Sequence, residues 1–154
     1  TATYSISEHK FTYQFSVDDT IHRGQTLQVF SGHGDHKNNP NSQNVVNLGP
    51  IPEGTYYVTT RESGGTLGWL WDALSGKDSW FALLADDGHI DDYTTVDGIT
   101  RGNFRLHPGS TSYGCITFSN NSWYSNWRNL LLETTTRTIP GTSILAYGTI
   151  RVIE

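Results

Sequence analysis

The chain has 154 residues, 12% of them aromatic, with ten basic against fifteen acidic side chains and a net charge of −5. That length suits one domain, 1–154, able to bury about two-thirds of its unfolded-chain surface, and the acidic balance makes nucleic acid a poor default partner. A single cysteine excludes an internal disulfide and a cysteine-rich zinc site, and no run of about 18 apolar residues is present to insert into a membrane. No signal-peptide pattern opens the chain and no Met begins it, a start shared by processed forms and pieces of longer proteins.

Residues 2–8 and 11–17 alternate apolar with polar and are joined by His9-Lys10, which predicts a β-hairpin. "QTLQVFSG" (25–32) is a further strand, and "HGDHKNNPNSQN" (33–44) a polar, turn-rich, exposed loop. "LGPIPEGTYYVTT" (48–60) reads as a rigid loop that feeds a strand. "WFALLAD" (80–86) is a buried strand and "DGHIDDYTTVDG" (87–98) an acidic loop. "NNSWYSNWRNLLLE" (120–133) places Trp123, Trp127, Leu130 and Leu131 on one helical stripe, with Ser119 or Asn120 as N-cap. "SILAYGTIRVI" (143–153) is the last strand, so the architecture is mainly β with one or two helices.

The segment that points to chemistry is "FRLHPGSTSYGCITF" (104–118), where Cys115 follows His107 by eight residues. A cysteine attacks as thiolate, and an ordinary thiol with a pKa of about 8.5 is only slightly ionised at neutral pH. An imidazole can take that proton, and a loop as short as "PGSTSYG" can bring two strand-borne side chains together. Gly114 permits a tight backbone and close substrate approach, amides around Gly114-Cys115 can form an oxyanion hole, and the N-terminus of the predicted helix follows closely. A buried, inert cysteine is the alternative that spacing alone leaves open.

"HPGSTSYGC" resembles the active-site motif of L,D-transpeptidases, and more closely the type VI secretion effectors that carry an L,D-transpeptidase-like domain. In that family "FSGHG", "GPIPEGTYYV" and "FRLHPGSTSYGCI" occur in this order, and here they stand at 30–34, 49–58 and 104–116. The resemblance implies an L,D-transpeptidase-like β-sandwich or barrel. It also implies an antibacterial activity on peptidoglycan: removal of the terminal D-alanine from tetrapeptide stems, or its exchange for a free D-amino acid. Cys115 would be the nucleophile and His107 the base, with Ser112, Tyr113 and Gly114 shaping the loop and oxyanion site. No metal or other cofactor is required. The implied partners are the stems, free D-amino acids, a cognate periplasmic immunity protein and the secretion apparatus, and the implied site of action is the target cell's periplasm.

Thr117 departs from the pattern, since many cell-wall L,D-transpeptidases carry Arg or Asn two residues after the cysteine. Arg105 or Arg101 is the replacement candidate for binding the substrate carboxylate, because a guanidinium fork matches a carboxylate. Arg105 and His107 would share one strand face. His33, within "FSGHG", is a candidate cleft residue, whereas His33 and His36 as a metal pair lack a third ligand. Asp86, Asp87, Asp91 and Asp92 lack calcium-loop spacing, although one of them could orient His107. Trp69, Trp71 and Trp80 read as core or cap contacts.

Three rivals remain from the sequence. A papain-like amidase would place a histidine after its cysteine, and none follows residue 115. A β-rich wall-binding module predicts an inert Cys115. A metal peptidase predicts chelator sensitivity through His33 and His36.

Overall fold

The computed structural model describes residues 1–59 and 79–154, and Trp69 and Trp71 lie outside that range. β1 (Ala2–Ser5) and β2 (Lys10–Val17) form the expected antiparallel hairpin, but its turn is residues 6–9 rather than His9-Lys10: β1 stops at Ser5, and Lys10 is already paired opposite it. The expectation of a strand over 25–32 is corrected. β3 (Thr20–Thr26) ends where that strand was to begin, and only β4 (Val29–Phe30) follows it. The cause is the turn at Asp18-Asp19, both left-handed with φ of 48° and 63°, which folds residues 20–26 back onto β2.

Two turns of 3₁₀ helix, Gly34–His36 and Pro40–Ser42, shape the polar loop. β5 (Gly54–Thr59) follows, then β6 (Phe81–Ala85), in which every residue is buried. The acidic segment is not a plain loop. It holds β7 (Tyr93–Val96), which pairs with β8 (Ile99–Gly102) around Asp97-Gly98, a two-residue turn with φ of 50° and 77°. Asp-Gly is the residue pair that such a turn favours.

β9 (Arg105–Pro108), β10 (Ile116–Phe118), helix α1 (Asn121–Leu132), β11 (Arg137–Thr138) and β12 (Leu145–Ile153) complete the described elements. Asn120 caps α1 by accepting from the Trp123 amide. The buried stripe of the helix is Tyr124, Trp127 and Leu131, so Tyr124 takes the place expected of Leu130, which is only half-buried.

The main sheet runs β3-β2-β1-β12-β5-β6-β9-β10-β4, with β11 added beside β12. Its two ends, β3 and β4, are separated in sequence only by Leu27 and Gln28. The chain therefore bends the sheet round until its last strand stands next to its first, a nearly closed barrel. Inside lies a core that includes Tyr4, Phe11, Leu83, Leu106, Ile116, Phe118, Tyr124 and Trp127. A smaller cluster of Ala82, Leu84, Ile139, Ile144 and Ala146 covers the outer face of β6. Apolar cover on both faces explains why 81–85 reads as an unbroken apolar run rather than an alternating one.

The ring of Trp127 lies 5.3 Å from Phe11, 5.9 Å from Phe118 and 6.4 Å from Phe81, so it fastens helix to sheet. Trp127→Ala is expected to lower unfolding free energy by about 3–5 kcal/mol, read from the midpoint shift in urea unfolding.

Candidate active site

β9 and β10 run parallel, with Leu106 beside Ile116 and His107 beside Thr117. Side chains alternate between faces along each strand. Leu106, Ile116 and Phe118 point into the core, which leaves Arg105, His107 and Thr117 on the outer face, with Cys115 at the entry of β10. One residue step in either strand would put the apolar set outside and His107 in the core, so core packing fixes this register.

The imidazole of His107 is held on three sides. Its Nδ1 lies 2.8 Å from the Pro108 carbonyl oxygen, its Nε2 lies 3.3 Å from Thr117 Oγ1, and Trp80 stacks on it with ring centroids 4.0 Å apart. A carbonyl only accepts, so in the neutral ring the proton sits on Nδ1 and Nε2 is the basic nitrogen. The Cys115 thiol points toward the Asn103 carbonyl oxygen, 3.9 Å away.

The cysteine loop is pinned by two buried serines. Ser112 Oγ donates to the Cys115 carbonyl at 2.7 Å and accepts from the amides of Gly32 at 3.1 Å and Gly114 at 3.3 Å. Ser31 Oγ donates to the Gly114 carbonyl at 3.1 Å and accepts from the Ile51 amide at 2.8 Å. The segments "FSGHG", "GPIPEG" and "TSYGC" are thereby tied to one another. The Gly114 amide, one of the two expected at the oxyanion site, donates to Ser112 Oγ. Gly114 has a φ of 123°, and an added Cβ would lie 2.6 Å from Arg101 Nη2, so both conformation and space demand glycine there.

A cleft of about 510 Å³ opens at this loop, and its walls include Asn47, Trp80, Asn103, His107, Tyr113 and Cys115. Asn47 and Asn103 both adopt left-handed backbone, with φ of 62° and 59°, a conformation that asparagine tolerates better than most residues. Tyr113 is 58% exposed and packs against His33 at 5.2 Å between ring centroids, forming an aromatic lip.

Cys115, His107 and Tyr113 thus meet at one opening, with Ser112 and Gly114 directly behind it. The two arginines stand elsewhere. Arg105 shares the strand face of His107 but is buried, and it forms a two-pronged ion pair with Asp92 at 2.7 and 2.8 Å. Asp92 is thereby turned to Arg105 rather than to His107, and Asp87 and Asp91 accept from the backbone amides of His89 and Tyr93. Arg101 is buried beneath the loop. α1 begins at Asn121, after β10. His36 contacts Ser42 Oγ while His33 contacts Tyr113, and among the described residues no group of three or more His, Cys, Asp or Glu is placed to hold a metal ion. Trp80 and Thr117 as supports of His107, and Ser31 as the tie between motifs, were not singled out from sequence. The only signal for Ser31 was its position inside "FSGHG".

Fold and cleft define a mainly β domain that presents a cysteine and a histidine at one opening. The chain belongs to the Tlde1 domain family, a family of type VI secretion effectors, whose model matches residues 25–142. Comparison with curated proteins and with solved structures gives no match.

Arg105→Ala strands a buried Asp92 carboxylate and is expected to cost about 3–5 kcal/mol of stability, read by urea unfolding. Unchanged stability would instead return Arg105 to the list of substrate-binding candidates.

Proposed function

We propose that the chain is a cysteine L,D-carboxypeptidase and D-amino-acid exchange enzyme acting on peptidoglycan tetrapeptide stems. The observation that carries this reading is the meeting of Cys115 and His107 at one cleft, His107 on β9 and Cys115 at the entry of the neighbouring parallel strand β10, with the cysteine loop fixed from behind by Ser31 and Ser112. Membership of an effector family supports delivery by a secretion apparatus, action in the periplasm of a target bacterium, and a cognate immunity protein in the producer.

In the first half-reaction His107 Nε2 takes the Cys115 proton, and the thiolate attacks the carbonyl at the L-centre of meso-diaminopimelate. A C–S bond forms, and the oxyanion is held by the Cys115 amide. His107, now protonated, gives its proton to the D-alanine nitrogen as the C–N bond breaks, leaving a thioacyl enzyme. In the second half-reaction His107 deprotonates water or a D-amino acid amine, which attacks the thioester. The C–S bond breaks and the thiolate recovers its proton from His107. Water gives a tripeptide, and the amine gives an exchanged tetrapeptide.

Trp80 and the Pro108 carbonyl keep the imidazole oriented through both proton transfers, as the base requires. With Arg105 paired to Asp92, the cleft receives the D-alanine end through neutral groups. Asn47, Asn103, Ser110 and Thr111 line it, and the aromatic lip of Tyr113 and His33 stands at its edge. A volume of about 510 Å³ is of the size that takes a short peptide segment.

The test is incubation with diaminopimelate-type tetrapeptide muropeptides, with and without D-methionine, followed by mass spectrometry. Wild-type protein is expected to yield tripeptide, and with D-methionine the substituted stem. Cys115→Ala should yield neither. Muropeptides returned intact by reduced wild-type protein would overturn the reading in favour of a binding module. Loss of activity with chelator would favour a metal peptidase.

A further inference from the structure

Arg101 and Arg105 are both buried, but their surroundings differ. Arg105 obeys the usual rule that a buried charge is paired, through Asp92. Arg101 has no carboxylate partner among the described residues. Its Nη1 donates to the carbonyls of Gln43 at 2.7 Å and Pro50 at 2.9 Å, and its Nη2 to that of Gly49 at 3.1 Å. The guanidinium also lies 5.3 Å from the Phe104 ring centroid. Carbonyls supply dipoles but no net charge, so nothing among the described residues neutralises this guanidinium. Such a charge is costly to bury unless an anion meets it.

Space places the guanidinium against the cysteine loop. Arg101 Nη2 abuts Gly114 so closely that a Cβ there would lie 2.6 Å from it, and Gly114 directly precedes Cys115. We propose that Arg101 is a positioning residue for the nucleophile: its buried charge, set against the cysteine loop, favours the thiolate of Cys115, while its fork ties β8 to residues 43–50. Burial pushes the guanidinium below its ordinary value, and Tyr56 and Cys115 push it back up, so arginine and thiolate stabilise each other's charged forms. The inference rests on Cys115 being the nucleophile but needs no particular substrate.

The other described titratable groups near the nucleophile are His107 from β9, which lines the cleft, and Tyr113 with its neighbour His33 at the outer lip. Tyr56 from β5 acts on Arg101 itself. An opposite charge at close range shifts an ionisation by about 1–3 pH units. Arg101 therefore adds to the imidazole and persists when the imidazole is removed.

The experiment is the pH profile of Cys115 alkylation by iodoacetamide, with folding checked by near-ultraviolet circular dichroism. In Arg101→Gln the inflection should rise by about one unit or more, and alkylation at pH 6 should slow about tenfold. Arg101→Lys, which keeps the charge but loses the fork, should stay near wild type. A folded Arg101→Gln with an unmoved inflection overturns the proposal, as does an equal shift in both variants, which would mark a purely structural role. Should Arg101→Gln not fold, His107→Ala decides. An inflection still below the ordinary thiol value of about 8.5 supports Arg101, and one at or above it does not. No muropeptide is present, so this result stands apart from success or failure of the substrate assignment.

Discussion

The Ser31 hydroxyl holds the site together. It lies at the meeting point of segments 20 and 83 residues away in sequence, bonded to the Ile51 amide on one side and the Gly114 carbonyl on the other. Each bond alone contributes about 1 kcal/mol net, but removing a buried partner costs more, because the group left behind is unsatisfied. Ser112 repeats the arrangement from the cysteine loop itself, reaching back to Gly32 next to Ser31. The loop before Cys115 is thus fixed by side-chain-to-backbone bonds rather than by strand pairing. This is how an irregular, glycine-containing backbone is held in a single conformation.

The sheet then divides the labour between its faces. Leu106, Ile116 and Phe118 anchor β9 and β10 in the core, and that anchoring fixes where His107 and Cys115 emerge. On the outer face the polar side chains fall into two groups. The Arg105–Asp92 pair neutralises itself and serves the fold. His107, Thr117 and Trp80 form a contiguous set whose ring and hydroxyl contacts orient one basic nitrogen. Left-handed asparagines at 47 and 103 carry the backbone round the cleft, and non-glycine residues in that region concentrate at functional sites.

Much of this was legible in the sequence. The hairpin at 2–17, the buried run at 81–85, the helix after Asn120 and the mainly β class follow from alternation, apolar runs and capping residues, which are local properties. β3 and β7–β8 were missed because their signal lies in the turns. Asp18-Asp19 and Asp97-Gly98 set the pairing, while the strands they join are too polar to show a buried face. Tyr124 displaced Leu130 because tertiary packing, not the i to i+4 pattern alone, chose which way the helix rolled. At the site, the ordered motifs were visible but their mutual bonds were not. Arg105 looked available for a ligand because nothing local to it reveals that Asp92, thirteen residues earlier, is its partner.

Capture of the covalent intermediate tests the role of Cys115 directly. Wild-type protein would be mixed with a tetrapeptide muropeptide, quenched in acid within seconds, and its intact mass and peptide map read by mass spectrometry. The added mass is expected to equal the muropeptide minus its terminal D-alanine, borne on Cys115. Tripeptide product formed with no adduct on Cys115 at any quench time, or an adduct carried by another residue, would contradict it.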